Sequence, residues 1–506
     1  MTAVAHRRSP SSRRRGYRGI ARPVGIVVLG LGVAILLCSI VGFVLDLVHP
    51  ARPGQEGGGF ALLIASVITG LFGLALYLWG RDHRSAHVSR REATLAVAAI
   101  WAAAGIFGAL PFVIGAGMSP IDALFESVSG LTTTGATVIT DIEGSMSRPL
   151  LLWRSLIQWL GGMGIVVLFV AVFPNVGVGG KHMFRGEVPG AAAEGLRPRI
   201  AETSFTLWKL YAAFTAILAI VLYALDMDPF EAVCHAFTTM STGGFSTRDA
   251  SIAAFESPAI EYTVAIFMFI GTVNYGLYYG ALRTGSFRAI TNNAEFRAFV
   301  FICALAIVVL TFGNMGTHDF DVLKSFRFAF FTVGTTISST GFGVDDYMAY
   351  PEPVLAALII VMFIGGCAGS TAGGIKIERI LLMTKQAGAQ INRFFRPNVV
   401  RVVRLGRRPV PPEVVADVAA FFIVYMLTLG LGIMLFSLVE AVPLPTAFGA
   451  MLTCLSNMGP APFHLEADNF AAYGGFAKLF SIFAMLLGRL EFFTLLSLLV
   501  PEFWKH

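Results

Sequence analysis

Long apolar runs alternate with short amphipathic ones along this chain. The long runs are Pro23–Leu47, Phe60–Trp79, Ala93–Ile114, Leu150–Phe173, Phe205–Leu225, Tyr262–Tyr279, Phe299–Phe312, Pro353–Gly365, Val415–Leu438 and Phe476–Val500. A helix needs about 20 mostly apolar residues to cross a bilayer. The runs therefore predict an all-α, polytopic membrane protein. Between them lie Ser119–Gly130, Pro229–Thr238, Asp321–Gly334 and Pro445–Leu455, each too short to span. The first opens on Ser119-Pro120, a pair suited to an N-cap and a first helical turn.

Each short segment runs into a loop built on glycine, and a long run follows. The loops read Thr132-Thr133-Thr134-Gly135-Ala136-Thr137, Ser241-Thr242-Gly243-Gly244-Phe245, Ser339-Thr340-Gly341-Phe342-Gly343 and Asn457-Met458-Gly459-Pro460-Ala461. With Gly135, Gly243, Gly341 and Gly459 in register, the loops recur at near-regular spacing. The expected architecture is four pseudo-repeats of helix, pore helix, filter loop and helix around one central pore. They cover 93–174, 204–284, 296–395 and 412–502. A basic tail (1–22) and two extra N-terminal spans (23–80) precede them.

Non-helical backbone at membrane depth is tolerated only when buried in protein or lining a water-filled cavity. Four re-entrant loops thus imply a shared axis. A dehydrated alkali cation needs its water oxygens replaced, and rings of backbone carbonyls do this in potassium channels. Glycine permits the dihedrals that turn successive carbonyls inward. A preceding Thr or Ser adds a hydroxyl, and the short helices point their negative ends at the ion. The expected filter residues are Thr133, Thr134, Gly135, Ser241, Thr242, Gly243, Ser339, Thr340, Gly341, Asn457, Met458 and Gly459. Loop three lies nearest the channel signature. Loop four has lost its threonine.

Composition agrees. Hydrophobic residues make up 56% of the 506 and charged residues 13%, with a mean hydropathy of +0.72. Soluble domains carry roughly 25% charged residues. The net charge of +6 is unevenly spread. Basic clusters occur in the tail (Arg7 to Arg22), at Arg81–Arg91, Lys181–Arg199, Arg283–Arg297 and Lys376–Arg408. Each flanks an apolar run, so the positive-inside rule explains them better than nucleic-acid binding does. Both termini are then cytoplasmic. The opposite connections are acidic: Asp141, Glu143, Asp226, Asp228, Asp249, Glu256, Asp345, Asp346, Glu466 and Asp468. An acidic mouth concentrates cations, though any one of these acids is equally well a solvated loop residue. The first apolar run is too long for a signal-peptide core. Five cysteines without CxxC spacing argue against a metal site or disulfide frame.

Several further stretches carry a resemblance. Arg154-Ser155-Leu156-Ile157-Gln158-Trp159-Leu160-Gly161-Gly162-Met163-Gly164, Gly365 through Lys376, and Leu487-Gly488-Arg489-Leu490-Glu491 resemble the first, third and last return helices of the Trk/Ktr/HKT cation transporter superfamily. The match is nearest to its TrkH-type potassium uptake subunits. The resemblance spans about residues 20–505. It implies potassium (K+) uptake across a bacterial inner membrane and a homodimer with one pore per subunit. It also implies regulation by a cytoplasmic nucleotide-binding ring of the TrkA type. The basic segments Lys376–Arg408 and Lys181–Arg199 are where such a ring would dock. Topology signals and lipid head-group contacts account for them equally well.

Glycine costs about 1 kcal/mol relative to alanine inside a helix. Gly365, Gly366, Gly369, Gly373 and Gly374, with Ser370 and Thr371, should therefore break the third return helix. A phosphate loop needs Gly-Lys followed by Ser or Thr. Here Ile375 separates Gly374 from Lys376, and Ile377 follows, so nucleotide binding is rejected. A gate obstructing the pore below the filter is the favoured reading. Close helix packing on small residues competes with it. Arg489 is the basic residue placed deep in the last run, and an intramembrane charge is a functional hypothesis by default. It is expected to project into the pore and raise the barrier to cations. Pairing with Glu491 is awkward, because the two lie about 200° apart on a helix. Arg154 and Lys478 are expected to snorkel at outer ends.

A symporter coupling K+ to protons or sodium is the alternative. Coupling usually needs a titratable group at mid-membrane, and no relay of acids is evident there. In the plant branch of the family a Ser at the first filter glycine accompanies sodium permeation; all four positions here are glycine. No paired Asp, zinc motif or Ser-Lys dyad suggests an enzyme, and no organic cofactor is expected.

Overall fold

The computed structural model describes residues 10–48, 57–81, 90–164, 200–397, 402–406, 408–460 and 469–505. Outside them fall the start of the basic tail, most of the Arg81–Arg91 cluster, the end of the first return helix, and Lys181–Arg199. Ala461, Glu466 and Asp468 also lie outside. Two helices come first, α1 (Pro10–Val48) and α2 (Gly58–Gly80). Helix α1 begins well inside the stretch read as a tail; a proline at its first position and arginines behind it favour helix. Then come α3 (Arg90–Ala116), α4 (Pro120–Leu131), α5 (Arg148–Gly162), α6 (Ile200–Ala224), α7 (Pro229–Met240), α8 (Pro258–Thr272) and α9 (Tyr275–Thr284). The chain continues through α10 (Ala294–Gly313), α11 (Val322–Ile337), α12 (Glu352–Ile364), α13 (Ile377–Phe395), α14 (Pro412–Glu440), α15 (Leu444–Ser456), α16 (Gly475–Arg489) and α17 (Phe493–Leu499). A two-residue antiparallel ladder, Arg404 opposite Pro409 and Leu405 opposite Arg408, departs from an all-α chain.

Among the described residues, six helices are long and apolar enough to span, and α8 with α9 forms a pair bent by 86°. The return helices are the short ones, and they differ from expectation. Tyr262–Tyr279 is not one helix: it turns at Val273-Asn274, where Asn274 caps α9 by accepting from Gly276 N at 2.7 Å. Phe476–Val500 breaks at Glu491 and Phe492, whose φ values are 58° and 31°. The break expected in the third return helix is present: 365–376 are non-helical between α12 and α13.

Apolar side chains gather in four large clusters. One joins α1, α2, α3 and α5 around Trp101 and Trp153. A second joins α6, α7 and α8 around Tyr211 and Met268, and a third α10, α11 and α12 around Leu310 and Val333. The fourth holds α14, α15 and α16 around Tyr425 and Met451. The short helices α4, α7, α11 and α15 end in buried polar residues. Thr132, Ser241 and Ser338 cap the first three, and Asn457 caps the last. All four caps are almost wholly buried.

Candidate functional site

Backbone hydrogen bonds fix the register of the four loops. The N–H groups of Thr134, Gly243, Thr340 and Met458 each donate to the carbonyl five residues back. These carbonyls belong to Ser129, Thr238, Thr335 and Thr453, at 2.9, 2.9, 2.9 and 3.1 Å. The residue before each donor is left-handed: Thr133 (φ 55°), Thr242 (55°), Ser339 (57°) and Asn457 (52°). The residue after it is Gly135, Gly244, Gly341 or Gly459. This corrects the register read from spacing. Gly244, not Gly243, is the counterpart of Gly135; Gly243 occupies the place of Thr134, Thr340 and Met458. Two adjacent glycines made the loop ambiguous in sequence.

The loops meet in cyclic order. A Cβ on Gly135 would collide with Gly243 O, and one on Gly244 with Thr340 O. On Gly341 it would lie 2.6 Å from Pro460 Cδ, and on Gly459 2.8 Å from Gly135 O. Only glycine allows backbones so close. Gly135, Gly244, Gly341 and Gly459 all line one cavity of about 570 Å3, while Gly243 does not. The four loops thus close into a collar of tightly packed backbone that lines one vestibule.

The vestibule is mixed in charge rather than simply acidic. Asp249, Asp345 and Asp346 line it, and so do Arg154 and Arg248. Arg248 bonds Glu231 at 2.6 Å and Glu143 at 3.2 Å. The Glu231 carboxylate holds the Arg248 guanidinium charged, above its ordinary range. Asp345 takes Tyr350 Oη at 2.8 Å and meets His318 Nε2 at 3.1 Å. Other acids assigned to the mouth serve local structure: Asp228 caps α7, and Asp141 accepts from Gly144 N.

Arg154 and Lys478 do not snorkel. Arg154 is 2% exposed and meets the fully buried Glu126 at 2.6 Å. It also donates to Ser246 O at 2.9 Å and lies 3.6 Å from the Phe245 ring centre. Lys478 meets Asp122 at 2.7 Å. Each is held by a carboxylate within reach instead of extending to water. Sequence reading missed Glu126, Glu231, Glu261 and Glu295 as buried acids. Each is engaged: with Arg154, with Arg248, with Arg327 at 3.2 Å, and with Ala368 N at 2.6 Å. It also missed Gln158 and His235, both fully buried behind loop two. His235 Nε2 lies 3.1 Å from Ser246 Oγ.

The 365–376 stretch lies against the bases of the loops. Gly373 N donates to Ser339 Oγ at 2.6 Å, and Gly374 N to Ser456 O at 3.1 Å. Thr371 Oγ1 donates to Met240 O at 3.2 Å. The stretch therefore touches the foot of three of the four loops. Gly365 packs on Gly373 and Gly374, Gly366 beside Thr272, and Gly369 beside Asn274. Ser370 Oγ bonds Cys367 O, and Lys376 Nζ bonds Ala372 O. Arg489 Nη1 reaches Thr371 O at 2.9 Å, and Nη2 reaches Gly161 O at 2.7 Å and Gly162 O at 3.0 Å. Glu491, at the left-handed step after α16, pairs with Arg379 at 2.9 Å and not with Arg489.

The family described as "TrkH: Cation transport protein" matches residues 58–505. The chain is 37% identical to the Trk system potassium uptake protein TrkH of Salmonella typhimurium, over 97% of this chain and 100% of that one. It is 38% identical to the TrkH of Halomonas elongata, over 89% and 93%. The crystal structure of the potassium transporter TrkH from Vibrio parahaemolyticus superposes with a TM-score of 0.85 at 33% identity, over 97% and 100%.

Proposed function

The chain belongs to the TrkH family of cation transport proteins, and from that premise we propose that its collar of four loops is the selectivity filter of a potassium uptake pathway. One observation carries the reading: Gly135, Gly244, Gly341 and Gly459, from four separate helix pairs, touch in a ring and line the same cavity. Carbonyl oxygens at that ring replace the water of a dehydrated K+ ion. The names of the curated relatives support potassium as the cargo. Thr133, whose buried hydroxyl has no hydrogen-bond partner among the described residues, offers a further oxygen at the ring.

The 365–376 stretch acts as the gate. In this conformation it is tied to loops two, three and four, and Arg489 ties it to α5. Opening requires those bonds to break together. Helix α13 leaves the stretch directly and carries the basic residues Lys385 and Arg393, with Arg396 at its C-cap. A cytoplasmic nucleotide-binding ring pulling on it would move the gate. The protein works as a homodimer in the bacterial inner membrane, with both termini in the cytoplasm.

Ion flux into liposomes holding the purified protein tests the reading. Potassium should move under its own gradient, faster than sodium, with no proton gradient imposed. Strict dependence on a second ion would overturn channel-like conduction in favour of symport.

A further inference from the structure

We infer that Gln158 is a positioning residue that sets ion discrimination by holding loop two. The inference rests on reading the collar as a filter. Gln158 lies on α5, one helical turn after Arg154, so both side chains leave the same face. It is wholly buried. Its Nε2 donates to Gly243 O at 2.8 Å, and its Oε1 accepts from Phe245 N at 3.0 Å. An amide side chain carries a donor and an acceptor on neighbouring atoms, so one group serves both. The amide thus reads two backbone groups of loop two, as a neighbouring strand would.

The contact explains a residue that the ring does not. Gly243 does not line the vestibule, and positive φ does not require a glycine there. A Cβ on it would lie 2.6 Å from Gln158 Oε1 and 2.7 Å from Nε2. Gly243 is therefore small because Gln158 packs on it. Among the described residues, the carbonyls of Thr134, Thr340 and Met458, at the same level of the other loops, accept from no side chain. One quadrant of the collar is thus held by a neutral amide that draws charge from its carbonyl and fixes its direction. A filter discriminates between ions of different size by how firmly its oxygens keep their places and by their field strength. Gln158 governs both at loop two.

Potassium and sodium fluxes are measured in liposomes for the wild type, Gln158→Met and Gly243→Ala. Methionine keeps the length and volume but removes both hydrogen bonds. The expected K+/Na+ flux ratio of Gln158→Met falls about five-fold, the factor that one neutral hydrogen bond commands, while potassium flux persists. Gly243→Ala, whose methyl lands on the amide, lowers the ratio as well. The Gln158→Ala, Gly243→Ala double variant makes room for the methyl but lacks the amide, so its ratio stays as low as that of Gln158→Met, and a return to the wild-type ratio overturns the inference. A potassium-selective wild type with an unchanged ratio in Gln158→Met overturns this inference alone. Should that variant fail to accumulate, an unchanged ratio in Gly243→Ala does the same. A wild type with no preference for potassium overturns the filter reading itself.

Discussion

A guanidinium removed from water must find its hydrogen bonds inside the protein. Arg154 does so through the Glu126 carboxylate and Ser246 O, and rests on the Phe245 ring. Glu126 in turn accepts from Thr137 Oγ1 at 3.0 Å and Val138 N at 3.2 Å, on the outgoing limb of loop one. The pair therefore ties two loops of the collar together. Removing one partner strands the other charge, at about 3–5 kcal/mol. Arg154→Met should lower the melting temperature sharply in detergent. The Arg154→Met, Glu126→Leu double variant should recover most of the loss, because a buried pair replaced by apolar groups is often neutral. Equal destabilisation by the double and the single variant would mean that the pair is not the cause. Sequence alone could not reveal this pairing. A single Glu within an amphipathic helix has no local mark that separates a solvated acid from a buried one. The Thr-Gly pairs were legible because the turn demands them locally; Gln158 was not, because its partner is set by tertiary packing.

Helices whose apolar period is long enough were predicted to within a few residues, as for Phe205–Leu225 against α6 and Phe60–Trp79 against α2. Breaks were harder. The Gly-rich stretch announced itself, whereas the 86° turn after α8 and the left-handed Glu491-Phe492 step carry no glycine or proline. All these breaks lie where return helices pass the loop bases, and Arg489 spans two of them. Its three carbonyl partners belong to Thr371, Gly161 and Gly162. Hydrogen bonds to a charged group are worth about 1.5–3 kcal/mol each. Losing even part of that set should shift the gate toward open. Arg489→Ala is expected to raise potassium flux in liposomes by about ten-fold, the effect of ~1.4 kcal/mol on an equilibrium. Unchanged flux and selectivity would remove Arg489 from the gate.

At the scale of the molecule, the four loops meet at the collar, and the apolar clusters behind them are shared: Phe125 of α4 and Ala136 of loop one pack with α14, α15 and α16, and Phe342 of loop three packs with α6, α7 and α8. An ion bound there would contact all four loops at once and bind the folded state alone. Ligation of that kind stabilises by RT ln(1 + [L]/Kd), about 1.4 kcal/mol at ten times Kd. The near-regular spacing drew attention to the four loops. The cyclic contact order, and the one-residue offset at Gly244, depend on how the loops pack and were not legible in it. Thermal unfolding in detergent should therefore shift upward as potassium replaces choline at constant ionic strength. Sodium should protect less if the collar is the potassium filter proposed above. Gly341→Ala should remove the potassium-dependent part of the shift, because its Cβ would press on Pro460 and Gly459 and open the ring. Identical melting in potassium, sodium and choline would mean that the four loops do not hold an ion between them.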